Sequence, residues 1–213
     1  MLAGVPSVFI RASGCNLRCV WCDTPYTSWK PEGEDVAIGR ILDQVVQYPS
    51  RYVVVTGCEP MIMPDIVPLT EELRKLGLHV TMETAGTAFQ AVCCDLMSIS
   101  PKLSNSTPHE RDGGQWAKQH EARRLQPDVL RRLMYRFEYQ LKFVVQSPND
   151  LPEINALLEE LDADRCRVLL MPEGTETGIL HERGVWLAEI CKQEGFRFCP
   201  RLHIDLYGSR RGA

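Results

Sequence analysis

A chain of 213 residues, 44% of them hydrophobic and 24% charged, excludes a mainly disordered polymer and fits one domain with a sizeable core or two very small ones; a single domain over 1–213 is expected. Lys plus Arg number 24 and Asp plus Glu 28, a formal charge of −4, so the basic excess of a domain that grips phosphate backbones is missing and no nucleic acid partner is expected. No run of the sequence reaches the roughly 18 uninterrupted apolar residues of a membrane helix, so no membrane partner is expected either.

In chain order, residues 7–11 form the first apolar, β-branched run. The residues before it, with Ala12-Ser13-Gly14-Cys15 behind, look slightly like a lipoprotein export signal, but a positive lead-in is absent and Arg11 interrupts the apolar stretch, so a buried strand accounts for them better. Three cysteines follow at once. Residues 23–35, with two prolines and Gly33, read as an active-site loop. Ile41, Leu42, Val45 and Val46 mark one helical face, Ile66, Leu69, Leu73 and Leu76 a second, and Ile154, Leu157, Leu158 and Leu161 a third. Strand-like runs lie at 52–56, 79–83, 96–100, 140–145, 167–171 and 196–204. Residues 103–126 are polar and read as a surface excursion, and the charged stretch 121–136 as a solvated helix. Strand alternating with helix predicts an α/β fold with a mostly parallel sheet, open or curled into a barrel, whose chemistry lies just after the carboxyl ends of the strands.

Cysteine use narrows the chemistry. Nine cysteines, an odd number without an export signal, fit a reducing cytoplasm better than a disulfide framework. Cys15, Cys19 and Cys22 stand in the spacing C-x3-C-x2-C directly after the first strand, tight enough for one loop to wrap one metal centre. A structural zinc site needs four closed ligands and finds three here, whereas a [4Fe–4S] cubane held by three thiolates keeps one iron open for a substrate or cofactor. A zinc knuckle that borrows Cys58, and unrelated core cysteines, are the alternatives. Cys93, Cys94, Cys166, Cys191 and Cys199 lack such spacing and are expected to be small buried hydrophobes.

The C-x3-C-x2-C loop resembles the signature of the radical S-adenosylmethionine enzymes. Pro6-Ser7-Val8-Phe9-Ile10-Arg11, Trp21-Cys22-Asp23-Thr24, Thr56-Gly57-Cys58-Glu59-Pro60, Glu83-Thr84-Ala85-Gly86-Thr87, Ser100-Pro101-Lys102 and Leu141-Lys142-Phe143 further resemble the 7-carboxy-7-deazaguanine synthase family, from about residue 4 to the C-terminus. The resemblance implies a partial (βα)6-type barrel. It also implies a [4Fe–4S] cluster on Cys15, Cys19 and Cys22 with S-adenosylmethionine on the open iron, and a carbon–nitrogen lyase that converts 6-carboxy-5,6,7,8-tetrahydropterin to 7-carboxy-7-deazaguanine with loss of ammonia, on the route to queuosine and other 7-deazapurines. Radical formation on the cofactor would start the reaction, with an electron from a donor such as flavodoxin or ferredoxin. A homodimer is implied by resemblance alone.

Residue roles carried by the same resemblance follow the strand ends. Trp21, Cys22 and Asp23 belong to the cofactor loop, and Thr24 is the position through which Mg²⁺ is held, a weak hydroxyl ligand for a cation that keeps several waters. Gly57, Cys58 and Glu59 stand where the family receives the amino group of S-adenosylmethionine; Cys58 replaces a second glycine, which matters if that position needs a positive φ. Ser100, Pro101 and Lys102, with Met171, Pro172, Glu173 and Gly174, resemble segments that meet its ribose and adenine. Arg11, whose planar fork suits a carboxylate, Thr56, Glu83 and the C-terminal Ala213 are expected at the pterin. Glu83 suits a ribose hydroxyl or the guanidine-like edge of the pterin, and His203, at the end of the last strand, a core or substrate-facing place. The family pattern carries a Gln-Gly-Glu-Gly segment ahead of the first strand, so an upstream stretch of coding sequence is expected. A glycyl-radical activase, with the same cysteine spacing and a protein substrate, is the enzyme alternative; an electron-transfer or zinc module is the non-enzyme one.

Overall fold

A computed structural model describes residues 2–211. Seven strands form one sheet, β1 Val8–Ala12, β2 Tyr52–Gly57, β3 His79–Thr84, β4 Leu96–Ile99, β5 Tyr139–Val145, β6 Val168–Pro172 and β7 Arg197–Phe198. They lie in sequential order, every neighbouring pair parallel, and β1 does not meet β7. The fold is thus the α/β, parallel arrangement the alternation predicts, left open as a partial barrel. The helices are α1 Pro25–Ser28, α2 Ile38–Val45, α3 Ile66–Lys75, α4 Ala117–Arg124, α5 Pro127–Arg136, α6 Leu151–Leu161, α7 Thr177–Glu194 and α8 Leu202–Tyr207. Sequential order with crossovers of one hand sends helix after helix to the same face of the sheet.

Register explains how the faces divide. Val53 and Val55, Val80 and Met82, Met97 and Ile99, Leu141, Phe143 and Val145, and Val168 and Leu170 are buried together with Leu69, Leu73, Leu130, Leu133, Ile154, Leu158 and Leu187 of the helices. That single apolar layer is the main core. Side chains one residue out of phase point to the other face. There the rungs pair Arg11 with Thr56, Glu83 with Ser98 and Ser98 with Gln140, with Lys142 two residues on. One face is oily and covered; the other is a polar half-barrel that opens at the carboxyl ends of the strands.

Four expectations change. The last strand does not run over 196–204: β7 ends at Phe198, and Pro200, which has no N–H to give a ladder, precedes α8, so His203 stands on a helix. Residues 121–136 are not one solvated helix. Pro127 opens α5, its ring disfavouring helical geometry in the residue before it, and Leu130 and Leu133 are core residues. The 103–126 stretch is no surface excursion, since Ser106, Thr107 and His120 are buried. Of the five spare cysteines only Cys191 is buried; Cys166 is exposed and Cys93, Cys94 and Cys199 are half-buried.

Candidate active site

The cysteine loop leaves β1 at its carboxyl end and is stitched to three neighbours. Gly14 N–H donates to Thr27 O at 2.9 Å, Val20 N–H to Ser106 O at 2.8 Å, and Glu59 N–H to Gly14 O at 3.4 Å. Cys15, Cys22 and Trp21 pack against the buried trio Leu17, Cys19 and Ala85, so the three thiols share one small apolar floor. Leu17 N–H donates to the Cys15 sulfur at 3.3 Å, the Cys22 thiol lies 3.2 Å from Ser28 Oγ, and Trp29 Nε1–H fixes Cys19 O at 3.0 Å. Burial pushes the Cys19 thiol up to about 12; the thiolate forms when a metal's charge repays that cost. Among the described residues no three His, Cys, Asp or Glu side chains converge tightly enough to chelate one ion. A cubane, whose corner irons hold their thiolates farther apart than one ion does, asks for three thiols of one loop around one dry floor, and this donor set fits it.

Next to this loop, the β2 end makes the sharp approach that the sequence suggests. Gly57 has φ +125° and lies against the Ala12 backbone, a place only glycine can fill. Among the described residues, the positive-φ residues other than glycine are Asp112 and Asp162. Cys58 therefore has ordinary backbone geometry, and its replacement of a glycine strains nothing. Its thiol donates to Thr27 Oγ1 at 3.0 Å. Glu59 is fully buried and bound inward: Oε1 accepts from Met61 N–H at 3.1 Å and Thr84 Oγ1 at 2.7 Å, Oε2 from Ala85 N–H at 2.9 Å and Thr87 Oγ1 at 3.1 Å. Burial raises its pKa against those four bonds. In this arrangement the carboxylate ties the β2 and β3 loops together, and the loop's backbone is what remains to face a cofactor.

On the polar face the strand ends converge. Glu83 accepts from Thr56 Oγ1 at 2.7 Å and from Lys142 Nζ at 2.9 Å, and the Lys142 ammonium holds its carboxyl down at about 2. The result is a fixed anion in reach of solvent, with side chains of Glu83 and Lys142 33% and 17% exposed. Arg11, beside Thr56 in register, is exposed at the mouth. His203 of α8 is exposed and lies within electrostatic range of Arg11, Asp23, Arg201 and Glu83; partial desolvation by its neighbours, then the Arg201 charge, lowers its pKa. Lys102 turns back on Ser100, donating to its carbonyl at 2.6 Å and its hydroxyl at 2.9 Å, and its charge acts on both Cys19 and Glu83. Met171 and Pro172 end β6; Glu173 pairs with Arg183 and Gly174 turns with φ +140°. Trp21 Nε1–H donates to Asn105 O at 3.0 Å, and Thr24 Oγ1 lies 3.8 Å from the Cys22 sulfur. Ala213 lies outside the described residues.

Lys142, Arg201 and His120 carry no role in the sequence expectations, although Lys142 lies in the Leu141-Lys142-Phe143 motif. Lys142 was legible, because Gln140-Leu141-Lys142-Phe143 alternates and so places Gln140 and Lys142 on the polar face. Arg201, which pairs with Asp23 and is 7% exposed, gave no signal: its partner lies 178 residues away. His120, 1% exposed, sat in a stretch read as surface.

Residues 9–102 match the model of the Radical SAM superfamily. The chain is 45% identical to 7-carboxy-7-deazaguanine synthase of Rhodopirellula baltica over 99% of its own length and 82% of that protein's. It is 43% identical to the synthase of Halobacterium salinarum, covering 97% and 84%. The crystal structure of QueE from Escherichia coli superposes with a TM-score of 0.66 at 26% identity, over 93% of this chain and 86% of that one. Streptococcus suis SuiB bound to S-adenosylmethionine, at 14% identity and a TM-score of 0.61 over 97% of this chain and 53% of that one, shares the fold. A cysteine loop on a half-barrel, with relatives this similar over most of both chains, makes this chain a member of the 7-carboxy-7-deazaguanine synthase family of radical S-adenosylmethionine enzymes.

Proposed function

We propose that this chain is the carbon–nitrogen lyase of that family, converting 6-carboxy-5,6,7,8-tetrahydropterin to 7-carboxy-7-deazaguanine and ammonia. The observation that carries the reading is the juxtaposition of three thiols on one dry floor with an anion, Glu83, fixed by Thr56 and Lys142 at the strand ends. When bound, the cluster and S-adenosylmethionine supply a 5′-deoxyadenosyl radical. Cys15, Cys19 and Cys22 hold the cluster, and the backbone of Gly57, Cys58 and Glu59 offers the amino-acid end of the cofactor its contacts. Ser100, Pro101 and Lys102, with 171–174, stand at later strand ends and are the proposed contacts of the ribose and adenine.

The remaining chemistry is binding and orientation. A pterin presents amide and amino N–H donors on its pyrimidine edge, and a carboxylate held anionic by Lys142 is the acceptor that edge asks for. Arg11 offers a planar fork to the substrate carboxylate at the mouth. Thr24, beside Cys22, is the proposed Mg²⁺ ligand, which would bring a divalent cation to that same carboxylate. His203, exposed on α8, lies within electrostatic range of Arg11 and Glu83 and is the proposed substrate-facing imidazole of the mouth. A low-potential donor such as flavodoxin or ferredoxin is the proposed reductant, and the single domain, the homodimer and the cytoplasmic compartment belong to the same reading; among the described residues no helix is long and apolar enough to cross a membrane.

The test is anaerobic incubation of the reconstituted chain with the carboxytetrahydropterin, S-adenosylmethionine, Mg²⁺ and a reductant, with mass detection of product. Formation of 7-carboxy-7-deazaguanine with S-adenosylmethionine largely regenerated is the expected result. Cofactor cleavage with no change in the pterin would overturn the substrate assignment.

A further inference from the structure

Resting on the cluster reading above, we propose that His120 is a positioning residue for the cysteine loop: its bare Nδ1 accepts the Arg18 backbone N–H, while its Nε2–H is anchored on Ser106, so that the loop is held in the shape that receives the cluster. The segment that carries His120 lies outside every motif of the chain. Yet α4 presents this imidazole, almost completely buried, to the last residue of the x3 spacer between Cys15 and Cys19.

The hydrogen bonds settle which nitrogen carries the proton. Arg18 N–H is a donor and lies 3.1 Å from Nδ1, so Nδ1 has its lone pair toward the loop. Ser106 Oγ gives its hydrogen to Leu103 O at 2.6 Å, so at 2.9 Å from Nε2 it accepts. A neutral imidazole with this tautomer satisfies both ends; an imidazolium would set two N–H groups against each other at Arg18. Burial, which pushes His120 down to about 4, agrees with that state.

The loop needs such a partner. Its spacer is neither helix nor strand, so its backbone N–H groups have no ladder to join, and a buried one without an acceptor is costly. Arg18 itself folds back on the loop, its guanidinium donating to Cys15 O and Leu17 O at 2.8 Å each and lying 5.0 Å over the Trp116 ring. Ser106 also takes Val20 N–H through its own carbonyl. His120 and Ser106 therefore form one strut that meets the loop on both sides of Cys19.

The experiment compares two isosteres of the two nitrogens. The side-chain oxygen of Asn falls near the place of Nδ1, whereas the amide of Gln reaches the place of Nε2. Wild type, His120→Asn, His120→Gln and His120→Leu are reconstituted anaerobically; iron and sulfide per chain, the rate at which a chelator strips the iron, and the melting temperature are measured on the same preparations. His120→Asn should strip within about twofold of wild type, and His120→Gln about tenfold faster, the scale set by a buried N–H that loses its acceptor, although the two variants melt at similar temperatures. His120→Leu should strip fastest; if it does not fold, the Asn and Gln pair still decides. Equal stripping rates for Asn and Gln, a slower rate for Gln, or rates that simply track melting temperature overturn the proposal. A wild-type chain that takes up no iron and sulfide overturns the cluster reading, and this proposal with it.

Discussion

Gly57→Ala is the sharpest test of how the cofactor loop is built. An added Cβ would lie 2.1 Å from the carbonyl oxygen of Ala12, 2.6 Å from its nitrogen and 2.9 Å from its carbonyl carbon, where ordinary contact begins at 3.4 Å. Backbone, not a flexible side-chain tip, is in the way, so β1 and β2 must separate by about 1.3 Å at their carboxyl ends. Forcing an L-residue into φ +125° costs about 1–3 kcal/mol, and overpacking of this kind adds about 1–3 kcal/mol. The sum, about 2–6 kcal/mol, is a large share of a total of about 5–15 kcal/mol and corresponds to a melting temperature lower by on the order of 10 °C for a chain of this size. The displaced strand end is also the root of the cysteine loop, so iron retention should fall with stability. Cys58→Gly is the matched control. Its backbone already lies in ordinary space, so that substitution should cost less than about 1 kcal/mol and leave S-adenosylmethionine binding at least as tight. Differential scanning fluorimetry and iron analysis on anaerobic preparations read both. A Gly57→Ala variant that melts within 2 °C of wild type, a margin of about 1 kcal/mol, and keeps its iron would refute the close-approach argument, and loss of the cluster in Cys58→Gly would show a fourth thiolate ligand.

Cys15→Ala, Cys19→Ala and Cys22→Ala should each abolish 5′-deoxyadenosine formation, measured by chromatography; cleavage by all three variants would overturn the cluster assignment. Glu59→Gln puts an amide NH₂ against a backbone N–H in either flip, Met61 or Ala85, and should cost about 1–3 kcal/mol in urea unfolding, with an unchanged midpoint counting against the inward-bound carboxylate. Lys142→Met frees Glu83 from the cation that holds it near 2, below its ordinary 4.5. Because that folded pKa is depressed, the pair's contribution is present above about pH 4.5 and lost as the pH falls toward 2. Unfolding free energies of variant and wild type should differ by about 1–2 kcal/mol at neutral pH, after allowance for partial exposure, and converge through that acid window; KM for the pterin should rise as well. A constant gap across the window would refute the linkage.

Local pattern was enough for much of this protein. The C-x3-C-x2-C spacing confines three thiols to one loop wherever that loop lies, and the alternation of β-branched runs with 3.6-period segments fixes a parallel α/β sheet, because parallel neighbours require crossovers. Gly57 and the alternation that sets Lys142 on the polar face were also written in short stretches of chain. What tertiary structure alone decided are the contacts between residues far apart in sequence. Asp23 meets Arg201, Glu83 meets Lys142, and His120 reaches across 102 residues to Arg18. Short-range periodicity carries no information on such pairings, since they depend on which strand ends, loops and helices the open sheet brings together. The same holds for His203, moved from strand to helix once Pro200 ended β7, and for 103–126, which looked solvated by composition but whose few buried polar groups brace the cysteine loop. Polarity in sequence measures a residue's cost of burial, and the fold sets whether a hydrogen-bond partner meets that cost.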